Sequence, residues 1–501
     1  VGFYFDFPLA EWPGLFLRGW ADGLWSSSYR ELRPLNALAF ILDARLWGLE
    51  PAGFRLTNLT LHAASSLLVG LIAWRASRRD AATAAIAAAL FAVHPVNAHA
   101  VAWITGRVDV LSTAFFLAAF LGFLSQRETP RGAWLALLAV GQAGALFTKE
   151  SGVTLIGFLV AADLIWLRPS PRARSTWLPY AICGGVLLGY FTLRWIAFGS
   201  GSPGGIGRGM PDLVTSATYL ELLRRETAYV AHLLPPLQPW LVAWRDAGYA
   251  VTPVRLAQAA FVMAAALTAV LGVWRWRART PLGFDRRGAL FFGCAWFVLA
   301  TVPLMATYFS ARHLYLAAPG LCIAVALLLR GALPRQAVRL AAAAVLVLLL
   351  VGQLWQTLGP WRRGAELSRE IAHHVRAAAE RVPQGGALLV DVPALTDGAF
   401  CWSWALPYAI RPPFASTAEP LLLQAPGNYA FSAAWRRPEV FARLRAIEGD
   451  AVLVVCSPRG ELQTLMLPAA KVRAAARDLE AANARDATAL WGRFLTALQG
   501  P

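Results

Sequence analysis

Long apolar runs alternate with short polar loops through most of the chain. About ten of these runs approach the roughly 20 mostly apolar residues that a helix needs to cross a bilayer. They lie near residues 53–74, 82–103, 108–125, 132–148, 151–167, 176–198, 253–274, 288–307, 313–333 and 336–358. The pattern predicts an all-α polytopic membrane protein with about ten visible transmembrane helices.

The character of the sequence changes after Trp361. Residues 362–381 have the pattern of a polar helix, 387–392 and 451–456 that of short buried strands, and 469–499 that of a helix. We therefore expect a transmembrane domain over 1–359 and a small soluble α/β domain over 360–501. Because the chain starts at Val1 in a loop-like stretch, we also expect a first membrane helix upstream of it.

Arginines mark every second short loop. They follow the first, third, fifth, seventh and ninth runs, whereas the opposite short loops hold little more than Arg107, Lys149 and Arg312. The positive-inside rule places the arginine-rich loops in the cytoplasm. Segment 1–52 and the tail after 359 are then extracytoplasmic, and 34–48 is predicted to be an amphipathic helix in the membrane interface.

Composition excludes an ordinary soluble enzyme. Of 501 residues, 57% are hydrophobic and only 15% charged, against roughly 45–50% and about 25% in soluble domains. The net charge of +17 would suit a nucleic-acid partner, but such a binder would not be this apolar. We expect no nucleic acid as a partner, and membrane lipids instead.

Cysteine spacing predicts no zinc site, because none of the five cysteines forms a CxxC pair or a cluster with histidine. Cys401 and Cys456 share the predicted exported domain, where disulfides persist. The sequence leaves open whether these two are bridged.

Charged residues at the extracytoplasmic membrane face are candidates for chemistry, since charge beside a bilayer is costly. An acid between two aromatics opens the chain at Phe5-Asp6-Phe7. The later loops contain His94-Pro95 through Arg107 and Asp109, then Lys149-Glu150, then Arg312-His313. Carboxylates and cations gathered on one face predict a site for an anionic lipid headgroup with a carboxylate base.

At these residues the sequence resembles the GT-C superfamily of polytopic glycosyltransferases. It is most similar to the transmembrane O-mannosyltransferases that usually carry tetratricopeptide repeats, and to their bacterial relatives. The resemblance rests on six stretches in family order: Phe5-Asp6, Arg33-Pro34-Leu35, Gly53 to His62, His94-Pro95 through Arg107 and Asp109, Lys149-Glu150, and Arg312-His313-Leu314-Tyr315-Leu316.

The chain departs from the family pattern at several of these points. Phe7 stands where the family usually has a second acid, and Asn97 and His99 stand where it has His and Glu. Leu32 replaces an aromatic, Arg55 replaces a histidine, and His313 follows Arg312 where a tyrosine is usual. The repeats are absent and 360–501 stands in their place.

The resemblance implies transfer of a sugar, with mannose favoured, from a polyprenyl-phosphate donor to a hydroxyl of a protein or glycan acceptor. Transfer would occur outside a bacterial inner membrane and invert the anomeric carbon. Asp6 matches the catalytic base, and Asp109 would orient Arg107 or assist the acceptor. The donor-binding candidates are Arg107, Lys149, Glu150, Arg312, His313, His94 and Arg33.

Plainer interpretations accompany these candidates. Asp6 could be an exposed loop acid, Asp109 a helix-capping residue, and Lys149-Glu150 an interfacial ion pair. Arg312 could extend along the interface, and His94 could fix the turn before Pro95.

Other polar residues are predicted to be structural. Asn58 and His62, four apart on one helix face, favour interhelical hydrogen bonds. Asp163, late in an apolar run, favours a structural pairing, and His373-His374 favours a solvated helix surface.

Two further functional hypotheses remain open. A transporter or flippase of lipid-linked saccharides should show midplane charges and repeat symmetry, neither of which the sequence displays. An inactive relative that acts as a binding protein is kept open by Phe7. The sequence establishes no cofactor and leaves a divalent metal open. A divalent ion assists some GT-C enzymes, but the single acid of the first loop argues against one here.

Overall fold

A computed structural model of the chain describes residues 7–20, 31–167, 169–199, 229–230, 233, 286–301, 310–393, 395–396, 399–401, 421–424, 438–457, 461–481 and 487–499. The chain divides into two compact units, with the boundary between Thr357 and Leu358. The first unit is helical and the second is an α/β unit.

Eleven α-helices begin in the first unit's described residues. In chain order they are α1 (Pro34–Trp47), α2 (Pro51–Ala76), α3 (Ala81–Val93), α4 (Ala98–Val101), α5 (Arg107–Glu128), α6 (Gly132–Thr148), α7 (Leu155–Ala162), α8 (Arg174–Phe198), α9 (Arg286–Thr301), α10 (Ala318–Ala332) and α11 (Gln336–Arg381). Short 3-10 helices cover Leu9–Leu17, Pro95–Asn97, Ile104–Gly106, Glu150–Thr154 and Ala311–Tyr315, and a π-helical turn covers Asp163–Leu167.

Local sequence explains several helix ends. Glu50 and Asp80 cap α2 and α3, since their carboxylates accept from the backbone N–H groups of Ala52 and Thr83. Pro51 occupies the first position of α2, where its missing N–H costs nothing. Gly199 ends α8 in a left-handed conformation with φ of 65°.

Among the described residues, five helices are long and apolar enough to cross a membrane, or six if one bent pair counts as a single span. The bend of 47° lies within the run predicted at 82–103 and separates α3 from the segment that starts at Pro95. Nine of the ten predicted runs contain helix; the tenth, 253–274, lies outside the described residues. The prediction of a multi-pass helical membrane protein is thus confirmed.

The core of the first unit is aromatic. The Trp296 ring of α9 contacts Phe158 of α7 and Phe120 of α5 edge-on, with centroid distances of 4.7 and 5.1 Å. Phe116 packs on Phe158 at 4.8 Å. Edge-to-face packing of this kind adds to the stability that area burial provides, so α5, α7 and α9 form a fixed bundle.

Ion pairs join the arginine-rich loops to one another. Arg75 pairs with Glu128 at 2.5 Å, which connects the loops after the first and third runs. Asp80 pairs with Arg339 at 3.1 Å and with Arg330 at 3.2 Å, which adds the loop after the ninth run. These loops therefore lie at one end of the bundle, as their alternation along the chain predicts. Which side of the membrane they face stays a prediction.

The second unit holds a four-stranded sheet in the order β4-β1-β5-β6. Its strands are β1 (Ala387–Asp391), β4 (Leu421–Gln424), β5 (Ala451–Cys456) and β6 (Leu462–Leu467), while β2 (Leu395–Thr396) and β3 (Ala399–Phe400) form a separate pair. The helices α12 (Pro438–Arg445), α13 (Ala469–Ala481) and α14 (Ala487–Gln499) accompany them. β1 pairs in parallel with both β4 and β5, and β6 is antiparallel to β5.

Sequence predictions for this unit hold with two corrections. The predicted strands at 387–392 and 451–456 match β1 and β5. The single helix predicted over 469–499 is instead two helices. The polar helix predicted at 362–381 is not separate, because it continues the last apolar run as the 46-residue helix α11.

Candidate functional site

Asp109 lies between two cations at one end of the helical bundle. It stands in the first turn of α5, and its carboxylate accepts from Lys149 Nζ and, at 2.7 Å, from Arg312 Nη1. The side chains of Asp109, Lys149 and Arg312 are only 4%, 14% and 10% exposed. Ionic hydrogen bonds in so dry a setting are strong, so the two cations have a fixed geometry.

Three separate loops supply this cluster. Lys149 follows the C-terminus of α6, and Asp109 follows the short Ile104–Gly106 helix. Arg312 belongs to the Ala311–Tyr315 turn, and its guanidinium lies 4.9 Å from the centroid of the Trp103 ring. That stacking adds a cation–π contact to the ion pair.

His313 adjoins the cluster as a neutral imidazole. Burial lowers the pKa of His313 well below 6.5, and the charges of Lys149 and Arg312 lower it further. Its Nδ1 lies 3.2 Å from the hydroxyl of Tyr229. His313 can therefore exchange hydrogen bonds with a ligand near Lys149 without adding charge.

Glu150, the residue after Lys149, belongs to a second ion cluster, which it forms with Arg33 and Glu31. Arg33 donates from Nε and Nη2 to Glu150 Oε2 at 3.0 and 2.7 Å. The Nη1 atom of Arg33 pairs with Glu31 at 2.8 Å. Burial raises the pKa of Glu31, against the lowering effect of Arg33, while Glu150 raises it further. The predicted donor residues Arg33, Lys149, Glu150, Arg312 and His313 are thus brought together with Asp109.

Arg107 is not part of this assembly. Its guanidinium pairs with Asp43 of α1 at 2.5 Å, and it donates to the side chain of Asn58 and, at 2.9 Å, to the carbonyl of Phe54. The expectation that Asp109 orients Arg107 is wrong, because the carboxylate of Asp109 accepts hydrogen bonds from Lys149 and Arg312 instead. The side chain of Arg107 is 0% exposed, so this residue connects α1, α2 and α5.

The histidines nearby have structural partners. His94 is buried, and its Nδ1 accepts from the N–H of Val96 at 3.3 Å, which fixes the turn at Pro95. His62 lies 2.7 Å from the Tyr315 hydroxyl and 3.0 Å from the Ala92 carbonyl. Asn58 donates to the carbonyls of Val101 and Trp103 at 3.2 and 3.1 Å. The predicted hydrogen bonding of Asn58 and His62 between segments is confirmed.

The remaining polar predictions have mixed outcomes. Asp163 pairs with Arg127 at 2.5 Å and accepts from Tyr180 at 2.7 Å, so its structural pairing is confirmed. Asp6 lies outside the described residues. Cys401 and Cys456 are both described, and no disulfide joins them.

Sequence reasoning missed Asp43, Glu31 and Tyr229. Asp43 had a signal, since an acid inside the otherwise apolar stretch of 37–44 calls for a buried partner. Glu31 is two residues before Arg33, a separation that indicates no side-chain contact by itself. Tyr229 lies 84 positions from His313, and no spacing rule connects them.

Gly152 fixes the loop that carries Lys149 and Glu150. A Cβ at this position would lie 2.7 Å from the Leu146 nitrogen and 2.9 Å from the Ala145 carbonyl carbon. Because these are backbone atoms of α6, Gly152→Ala must displace the loop at a cost of about 1–3 kcal/mol. We expect a lower midpoint of thermal unfolding in detergent.

The control for this substitution is Gly132→Ala at the other end of α6, where nothing lies within 4 Å of the new Cβ. An unfolding midpoint for Gly152→Ala equal to that of Gly132→Ala would show that the close approach is not needed.

Comparison with curated proteins shows what part of the chain is similar to. The chain is 35% identical over 158 residues to Protein O-mannosyl-transferase TMTC1 of Mus musculus, covering 29% of this chain and 17% of that protein. It is 33% identical over 172 residues to Protein O-mannosyl-transferase TMTC4 of Homo sapiens, covering 29% and 23%. The chain spans about a fifth of the length of these relatives. No family model matches it.

Among solved structures, ArnT from Cupriavidus metallidurans bound to undecaprenyl phosphate has 14% sequence identity and a TM-score of 0.45, covering 91% of this chain and 88% of that one. Over the aligned residues, roughly a third of the positions are identical to those of the O-mannosyl-transferases. The chain therefore resembles the protein O-mannosyl-transferases, in agreement with the GT-C resemblance of its motifs.

Proposed function

We propose that this chain is a membrane glycosyltransferase that moves a sugar from a polyprenyl-phosphate donor to an acceptor hydroxyl. The observation that carries the proposal is the convergence of Lys149 and Arg312 on the buried Asp109. A buried pair of cations held by one carboxylate carries one net positive charge, which suits an anionic phosphate. The names of the relatives, O-mannosyl-transferases, support mannose as the sugar.

The chemistry needs stabilisation of a leaving phosphate. The acceptor oxygen attacks the anomeric carbon, the bond from that carbon to the phosphate oxygen breaks, and its electron pair leaves on the lipid phosphate. The configuration at the anomeric carbon is inverted. Preorganised cations that face the developing charge are the means by which enzymes stabilise such a leaving group, and Lys149 and Arg312 fill that role here.

A carboxylate must accept the proton of the attacking hydroxyl. Asp109 already accepts from Lys149 and Arg312, so we assign it a positioning role. Asp6 is the proposed base, and Arg107 is proposed to support the fold of the site rather than to touch the donor. We place the site and the second unit on the extracytoplasmic side, in a bacterial inner membrane.

The test is a transfer assay in membranes that contain the full chain. Labelled polyprenyl-phosphate mannose and polyprenyl-phosphate glucose serve as donors, with the host envelope as acceptor. We expect transfer by the wild type and its loss in Asp6→Asn, because the amide cannot accept the proton. Glu11→Gln is the control, an acid of the same segment that pairs with Arg18 at 3.5 Å. Transfer that survives Asp6→Asn would refute the base assignment.

A further inference from the structure

Two ion clusters of different composition adjoin each other at the candidate site. Lys149, Asp109 and Arg312 combine two cations with one acid, whereas Glu31, Arg33 and Glu150 combine two acids with one cation. Lys149 and Glu150 are consecutive residues, so the clusters share a loop. A ligand bound here therefore meets a pair of cations and a pair of carboxylates side by side.

Glu150 has one carboxylate oxygen available for a ligand. Both Arg33 contacts go to Oε2, at 3.0 and 2.7 Å. The other oxygen, Oε1, is buried, and no other residue in the described part of the chain donates a hydrogen bond to it. A buried acceptor without a donor is costly, so Oε1 is able to accept a hydrogen bond from a bound ligand.

The two carboxylates of this second cluster favour a hydroxyl ligand over phosphate. Carboxylates repel an anion, and the positive cluster beside them is the better phosphate site. Carboxylate oxygens accept hydrogen bonds from hydroxyl groups. In a polyprenyl-phosphate sugar the hydroxyl-bearing ring is bonded directly to the phosphate, so a phosphate at Lys149 would bring the ring to the neighbouring acids.

We infer that Glu31, Arg33 and Glu150 form a sugar-hydroxyl subsite, in which Glu150 Oε1 accepts a hydrogen bond from a donor-sugar hydroxyl. This inference rests on the proposed function. Arg33 holds the Glu150 carboxylate in place through its two contacts with Oε2, and Glu31 holds the other side of Arg33. Hydrogen bonds of this type make a site reject analogues that lack the hydroxyl.

The experiment measures binding of two lipids to the purified full-length protein in lipid nanodiscs. One lipid is polyprenyl phosphate and the other is polyprenyl-phosphate mannose. In Glu150→Gln we expect about a tenfold to hundredfold weaker Kd for the mannose-bearing lipid, as for a lost hydrogen bond to a charged group. The Kd for the sugar-free lipid should stay unchanged, which also shows that the variant is folded.

Glu128→Gln is the matched control, since Glu128 also pairs with an arginine, Arg75, but lies at the other end of the bundle. It should leave both Kd values unchanged. Equal weakening of both lipids in Glu150→Gln, or of neither, would overturn the subsite. If the wild type binds neither lipid, the proposed function itself fails, and the subsite with it.

Discussion

Replacing Lys149 by alanine should lower the rate of sugar transfer by about 100- to 1,000-fold, the range seen when one preorganised transition-state donor is removed. Lys149 is one of two cations on Asp109, and its side chain is only 14% exposed. Water cannot readily replace the lost ammonium at so dry a position. The charge that develops on the leaving phosphate then relies on Arg312 alone.

The chain offers a matched control for this prediction. Its only other lysine is Lys471, which lies in α13 of the second unit. Lys471→Ala should leave the transfer rate unchanged. Initial rates with saturating polyprenyl-phosphate mannose would be compared for wild type and both variants. A Lys149→Ala rate within a few-fold of the Lys471→Ala rate would remove Lys149 from the phosphate site.

Lys149→Arg separates charge from geometry. Arginine keeps the positive charge but replaces a compact ammonium by a planar fork. Because Asp109 already accepts from the fork of Arg312 at 2.7 Å, a second fork has little room. We expect partial recovery of the transfer rate, between the rates of Lys149→Ala and the wild type.

Periodicity along the sequence predicts the architecture well, for a physical reason. Apolar length and loop charge are local properties, so the helical runs, the shared end of the arginine-rich loops and the strands β1 and β5 follow from the sequence. The break at Pro95 and the continuation of α11 past Trp361 do not. The break depends on the turn that His94 fixes, and the change from apolar to polar residues at Trp361 does not end the helix.

The membership of the site was predictable only in part, and its pairing was not. The charges at Arg33, Lys149, Glu150 and Arg312 stand out in an apolar sequence, and the structure brings them together. Spacing of two residues suggested a pair of Arg107 with Asp109, yet side chains two positions apart on a helix do not face each other. Asp43, 64 positions from Arg107, is a partner that only the tertiary packing of α1 reveals.

That pairing leads to the largest expected effect on stability. Asp43→Ala should lower the free energy of unfolding by about 3–5 kcal/mol, the cost of breaking a buried ion pair by removing one partner. The Arg107 side chain is 0% exposed and the Asp43 side chain 3% exposed. The positive charge of Arg107 that remains in Asp43→Ala would therefore not be solvated by water. Asp43 also accepts from the Thr57 hydroxyl at 2.8 Å, and this bond is lost too.

Thermal unfolding of the detergent-solubilised protein would measure the effect, with Glu11→Ala as the control. The pair of Glu11 with Arg18 is 55% and 36% exposed, and an exposed pair contributes only about 0–1 kcal/mol. The double variant Asp43→Leu with Arg107→Met should recover most of the loss, because replacing both ions by apolar groups leaves no charge buried. A double variant as unstable as Asp43→Ala would mean that the Asp43 position needs its hydrogen bonds rather than relief of a buried charge. An Asp43→Ala midpoint equal to that of Glu11→Ala would mean that the pair does not hold α1 against α2 and α5.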